Sequence, residues 1–196
     1  GNYNESLQSL SLAVENMRSF VARAEEQVES ARARDEGSAV NDAQNALLTL
    51  QGILAGRLSN YGDCLREAGK FEESLEALSE SYSLYAQADD IAGMISSMGN
   101  QGLVFMSLDD PTNAERIFVE ANQMACDACG TVGNEKNIRA IQYSHMNLGV
   151  HYYKIASAGN HPDMKLLEVS LSNLYTALSA SNRIQKVVQM TCLLTI

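Results

Sequence analysis

Apolar residues recur at helical spacing almost from end to end of this chain. Between residues 7 and 34, Leu7, Leu10, Leu12, Ala13, Val14, Met17, Phe20, Val21, Ala24 and Val28 keep a helical period, with Glu25, Glu26 and Glu29 on the other side. One long amphipathic helix is expected there. Asp35-Glu36-Gly37-Ser38 reads as its break, with Gly37 as stop and Ser38 as N-cap of a helix over residues 39–68 through Leu47, Leu50, Ile53, Leu54, Leu58, Tyr61 and Leu65. Gly52 and Gly56 within it mark either a close helix approach or a kink. Further helices are expected over residues 71–87, 90–108, 112–128, 135–158 and 164–181, and a last one over 184–196 after a break at Asn182. Pro111 and Pro162, the two prolines, lie between helical patterns, and runs of alternating β-branched residues are absent. The expected fold class is therefore all-α.

Superimposed on the helical period is an internal repeat. The triplets Asn60-Tyr61-Gly62, Asn100-Gln101-Gly102 and Asn147-Leu148-Gly149 are spaced by 40 and then 47 residues, in the range of stacked helical hairpins. Three residues past each glycine stands a large side chain, Leu65, Phe105 or Tyr152. Twelve past the first two stand Ser74 and Ala114, both small, and sixteen past stand Leu78 and Phe118. Small residues facing each other let helices approach, and large ones fill the space beside the contact. On these residues the sequence resembles the tetratricopeptide repeat family. Gly102, Phe105, Ala114, Phe118 and Ala121 of the second unit match the family's small and large positions best, whereas the first unit keeps Ser74 and Ser81 small and the third lacks a clean second half. Units near 40 residues look more like those of kinesin light chains and LGN-type polarity adaptors than the 34-residue form. The resemblance implies an α-solenoid of stacked antiparallel helical hairpins over residues 1–196. Residues 1–37 would be a long N-terminal helix, 38–88, 89–130 and 131–181 three repeats, and 182–196 the first helix of a truncated repeat or a cap.

Composition narrows the function. A 196-residue chain with 45% hydrophobic residues is long enough to bury roughly two-thirds of its unfolded surface. The formal net charge of −10 disfavours nucleic acid, since phosphate binding needs a basic footprint, and makes a basic peptide or protein surface the better electrostatic match. No apolar stretch of about 18 residues suggests a membrane span. Gly1-Asn2-Tyr3-Asn4-Glu5 lacks the basic start and apolar core of a signal peptide, and the apolar run 190–196 at the other end reads as part of a longer protein. Cys126-x-x-Cys129 has no second pair at zinc-site spacing. With Cys64 and Cys192 it reads as structural thiols of a reducing compartment, hence a cytoplasmic protein.

Catalytic chemistry finds little support. His145, His151 and His161 are the only histidines, and no Gly-rich phosphate loop, HExxH or nucleophile-elbow motif is present, so neither an enzyme nor a cofactor is expected. The acidic side of residues 71–87, with Glu72, Glu73, Glu76 and Glu80, reads as a solvated outer face.

The asparagines are the stronger candidates. Two residues before a buried glycine is about 200° around a helix, on the side away from the hairpin partner. Asn60, Asn100 and Asn147 are thus expected on the inner surface of the stack, offering a donor and an acceptor to the backbone of a bound peptide; the alternative is that they bond to neighbouring helices or to water and merely tile the stack. The resemblance points the same way, since asparagines just before this motif line the groove in several peptide-binding members. Neighbours expected to select side chains are Arg57, Asp63 and Glu67, then Ser96, Leu103 and Ser107, then Tyr143, Val150 and Lys154. The lysine pair with which chaperone-binding members clamp a terminal carboxylate is missing. The expected function is a protein-interaction adaptor with a peptide or helix in its groove. The alternative is a structural or oligomerisation module whose groove is unused or filled by its own long N-terminal helix, with self-association through the apolar positions of residues 184–196.

Overall fold

The computed structural model describes residues 2–34, 37–129, 135–158 and 161–194, with side chains over 5–34, 37–128, 137–158 and 161–183. These residues form seven helices and no strand: α1 (Asn2–Ala33), α2 (Gly37–Glu67), α3 (Phe71–Gln87), α4 (Ile91–Ser107), α5 (Pro111–Cys129), α6 (Glu135–Ser157) and α7 (Met164–Leu194). The all-α class is as expected. Two compact units divide the chain, Gly1–Ser97 and Met98–Ile196, with the division inside α4.

In the first unit α1 lies on the α2–α3 hairpin. Val14, Val21, Ala24 and Val28 of α1 join Leu47, Leu54, Leu58, Leu65 and Ala77 in one apolar cluster. Leu58 and Leu65 are each 1% exposed, and complete burial of such a side chain contributes roughly 1.5–3 kcal/mol. Arg18 ties α1 to Glu80 of α3 through an ion pair, while Glu73 pairs with Lys70. The hydroxyl of Ser74 donates to the carbonyl oxygen of Gly62 (2.6 Å) and that of Ser81 to Ala55 (2.8 Å). The paired residue numbers sum to the same value, the signature of antiparallel helices. Gly56 is a close approach rather than a kink: a Cβ there would lie 3.3 Å from the Tyr85 hydroxyl, and α2 runs unbroken.

In the second unit Phe118 of α5 occupies the space a side chain would need at Gly102. Around Ala114, Phe118 and Leu148 pack Leu103, Phe105, Met106 and Tyr152. Among the described residues, hydrogen bonds join α5 to α6 from Tyr152 Oη to Glu115 (3.0 Å), Asn122 Nδ2 to Ser144 (3.3 Å) and Asn137 Nδ2 to the Ala128 carbonyl (2.9 Å). Their residue numbers again sum almost to a constant.

The third repeat does have a second half. Ser170 donates to the Gly149 carbonyl (2.8 Å), as Ser74 does to Gly62, and Leu174 lies against Gly149 as Leu78 lies against Gly62. The spacing is 21 residues rather than twelve, which hides it in the sequence. Both arms are longer: α6 runs eight residues past its glycine where α2 and α4 run five, and α7 begins six residues before its serine where α3 begins three before Ser74. Equal lengthening of the two arms, with three further residues in the connection, leaves the register intact.

Three connections share one backbone device. Gly69, Asp89 and Asp109 adopt positive φ (76°, 52° and 57°), and the next amide in each case bonds back five residues, Lys70 to Leu65, Asp90 to Tyr85 and Asp110 to Phe105, all at 2.9 Å. Asp90 and Asp110 then cap the following helix through the amides of Gly93 and Asn113.

Two boundaries differ from expectation. Gly37 lies inside α2 rather than ending α1, and α7 continues through Asn182, where an asparagine costs only a few tenths of a kcal/mol and no glycine or proline interrupts. The apolar side chains of residues 184–196, and those of Cys129 and Cys192, lie outside the described residues.

Candidate functional site

The first helices of the hairpins, α2, α4 and α6, carry the expected binding residues. In the first unit Arg57, Asn60 and Glu67 are exposed on α2, and Asp63 is partly exposed, held by Arg66 at 2.8 Å. Ser96 is half-buried on α4. Asn60 thus lies open to solvent in its own unit, together with Arg57 one turn before it.

The second unit places its asparagines otherwise. Gly99 has no side chain, and Tyr143 and Asn147 of α6 move into the space: a Cβ at Gly99 would lie 2.6 Å from the Tyr143 ring and 2.7 Å from the Asn147 amide nitrogen. Asn147 is 6% exposed and its Nδ2 has no hydrogen-bond partner. The Tyr143 hydroxyl donates to Asn100 Oδ1 (2.7 Å). Asn100 and Asn147 therefore join α4 to α6, which corrects the expectation that Asn147 opens onto a ligand. Leu103 is half-buried against the Phe118 cluster, and Ser107 is exposed with its hydroxyl on the Leu103 carbonyl (3.0 Å). Val150 and Lys154 are exposed as expected.

What faces solvent on α6 is a row the asparagine pattern did not reveal. Met146, Val150 and Tyr153, at i, i+4 and i+7, are 40%, 40% and 56% exposed. The helix has already buried Ser144, Asn147, Leu148 and His151 on its other side, so this row is additional to its core face. Helical spacing of Met146, Val150 and Tyr153 was visible in the sequence, but spacing alone does not tell which of two apolar stripes is covered.

A cleft of about 210 Å³ opens between the α4–α5 turn and the end of α6, lined by Met106, Asp109, Pro111, His151, Ile155 and Ala158 among others. His151 is 1% exposed, sits against the rings of Phe118 and Tyr152 (centroids 5.5 and 5.6 Å), and its Nε2 lacks a hydrogen-bond partner. Burial lowers the pKa of this imidazole, Glu115 opposing and Lys154 adding to the effect, so the ring is neutral at neutral pH. Cys126 is exposed beside Asn122. No group of three His, Cys, Asp or Glu among the described residues could hold a metal, and no described helix is long and apolar enough to cross a membrane.

Neither a protein-family model nor a curated protein matches the sequence. Among solved structures, the crystal structure of BtubC (BKLC) from P. vanneervenii is similar over 95% of this chain and 87% of that one, at 14% identity and a TM-score of 0.43, a likeness too loose to carry any argument.

Proposed function

We propose that the chain is a non-enzymatic interaction adaptor that holds a peptide or helix of a partner protein on the outward faces of its first helices. The observation carrying this reading is the exposed row Met146, Val150 and Tyr153 with Lys154 beside it, an apolar stripe at helical spacing on a helix whose core face is already filled. In the first unit the corresponding surface is polar, with Arg57, Asn60, Asp63 and Glu67. Asn60 offers its amide to a ligand backbone, whereas Asn100 and Asn147 set the spacing of α4 and α6. The net charge of −10 favours a basic partner.

The test is affinity capture from cell extract with wild type, Asn60→Ala, and the pair Val150→Glu with Tyr153→Ser, each checked for equal helicity by circular dichroism. A protein retained by wild type and lost by the pair supports the α6 face. Retention of the same proteins by all three baits rules it out.

A structural role is the second reading, favoured by α7. Leu171, Tyr175 and Leu178 are 56%, 63% and 56% exposed at i, i+4 and i+7. By the register of Ser170 with Ala114, Leu171 and Leu178 stand where α5 has Glu115 and Asn122, the residues that meet the next helix. A concentration-dependent mass in sedimentation, abolished by Leu171→Glu, would favour self-association over the adaptor.

A further inference from the structure

One side of α7 is committed within its own hairpin. Ser170 and Leu174 lie on Gly149, and Ala180 packs with Ile138 and Ile141 of α6. The opposite side carries Leu171, Tyr175 and Leu178, each more than half exposed. Glu168 stands just before this stripe and Arg183 just after it. Both are exposed, and among the described residues no ion pair holds either. The fifteen residues from one to the other carry a helix through four turns and about 60° more, so the carboxylate and the guanidinium lie along the same flank of the stripe, about 22 Å apart. At that distance, beyond the screening length of about 8 Å at physiological salt, they do little for each other.

Such a helix is its own complement when two copies run antiparallel, because a two-fold axis across the stripe brings like flanks together. With the two Tyr175 rings on that axis, the second copy's Leu178 stands level with Leu171 and its Arg183 level with Glu168, each to within one residue's rise of about 1.5 Å. A single register thus matches the aromatic rings, both leucine layers and both pairs of charges. A parallel pair would instead set Glu168 against Glu168 and Arg183 against Arg183.

We propose that the outer face of α7 docks on α7 of a second copy of this chain in an antiparallel two-fold contact, centred on Tyr175, with Leu171 on Leu178 and Glu168 on Arg183 to either side. The assignment rests on the self-association reading of α7 given above, specifies its register, and uses a face apart from the Met146–Val150–Tyr153 row. A contact only about 22 Å long falls at the weak end of specific interfaces, with a dissociation constant on the order of tens of micromolar.

The test is sedimentation velocity of the whole chain over concentrations that bracket this value, for wild type, Leu171→Glu, Glu168→Arg, Arg183→Glu, and Glu168→Arg combined with Arg183→Glu, each checked for equal helicity by circular dichroism. Wild type should pass from monomer to dimer and go no further, and Leu171→Glu should stay monomeric. Each single reversal should weaken the dimer about tenfold, since two pairs per dimer turn from attraction to repulsion, and the combined reversal should return it to within about twofold of wild type. Positions 168 and 183 are too far apart on one helix to compensate each other, so this rescue reports a contact between copies. A wild type that stays monomeric overturns the second copy as occupant and leaves the face to a further helix or another protein. Species larger than a dimer overturn the closed two-fold pair. A dimer lost in Leu171→Glu but unmoved by the single reversals, or not rescued by the combined one, overturns the antiparallel register while self-association through α7 stands. A dimer that survives Leu171→Glu places the contact elsewhere and overturns both. In every case the fate of the captured partner in Val150→Glu with Tyr153→Ser reports separately on the adaptor reading.

Discussion

Ser170 donates its hydroxyl to the carbonyl oxygen of Gly149 across 2.8 Å of buried helix contact. The pair shows why the glycine recurs. A Cβ at position 149 would lie 2.8 Å from Leu174 Cγ and 3.2 Å from the Ser170 carbonyl, and one at Gly62 would lie 2.6 Å from Leu78 Cγ and 3.3 Å from the Ser74 carbonyl. Glycine to alanine inside an exposed helix gains up to about 1 kcal/mol. At these two positions the sign reverses, and Gly149→Ala and Gly62→Ala should each cost about 1–3 kcal/mol through overpacking. Urea denaturation followed by circular dichroism decides it; an unchanged or raised midpoint would show that the helices part freely.

Ser81 is a second buried link, donating to the Ala55 carbonyl (2.8 Å) and lying 2.9 Å from Ser97 Oγ. Ser97 is fully buried. Ser81→Ala and Ser97→Ala should each destabilise by about 1 kcal/mol, and the double variant by less than the two together, since the shared hydrogen bond is lost once. Additive losses in a double-mutant cycle would mean that the two hydroxyls act separately.

Gly69 and Asp89 hold equivalent positive-φ places in successive connections. Glycine takes that conformation without strain and aspartate does not. Asp89→Gly is expected to raise stability by about 0.5–1 kcal/mol, and Gly69→Ala to lower it by about 1 kcal/mol. Thermal unfolding of the two variants should move in opposite directions.

Asp110 caps α5, and hydrogen bonds from the Asn113 side chain and then its backbone amide hold the carboxyl below its usual pKa. A group depressed in the folded state contributes stability that is complete above its ordinary carboxylate pKa and disappears as pH falls through the folded value. The wild type should therefore lose stability on acidification to a greater degree than Asp110→Ala, with the difference confined to the carboxylate range. Urea midpoints across pH 2–6, beside a 13C titration of the Asp110 carboxyl, make the comparison.

Much of this architecture was legible before any coordinates. The helix over residues 71–87 and the starts of α6 and α7 follow from hydrophobic period and turn residues, which are local properties. The pairing of Gly62 with Ser74 and Leu78 was readable because the short connection leaves a constant spacing. The same pairing at Gly149 was not, since nine added residues move Ser170 out of the expected place without disturbing the contact. The orientation of Asn147 was out of reach for another reason. An asparagine two residues before the motif glycine can be open, as Asn60 is, or covered, and the choice lies with Gly99, almost fifty residues away, whose missing side chain admits the amide. Likewise, the unpaired nitrogen of His151 could not be read from a histidine one residue before a tyrosine.

The hairpin of α6 and α7 also separates two quantities that a repeat usually ties together. Its pairing is fixed by Gly149 and Ser170, far from the tip, while the tip itself has moved outward by about 5 Å for three added residues per arm. Length at the tip is therefore adjustable so long as both arms change in step. A graft at His161–Pro162 that extends α6 and α7 equally would keep the contact, whereas the same residues added to one arm alone would rotate its buried stripe toward solvent.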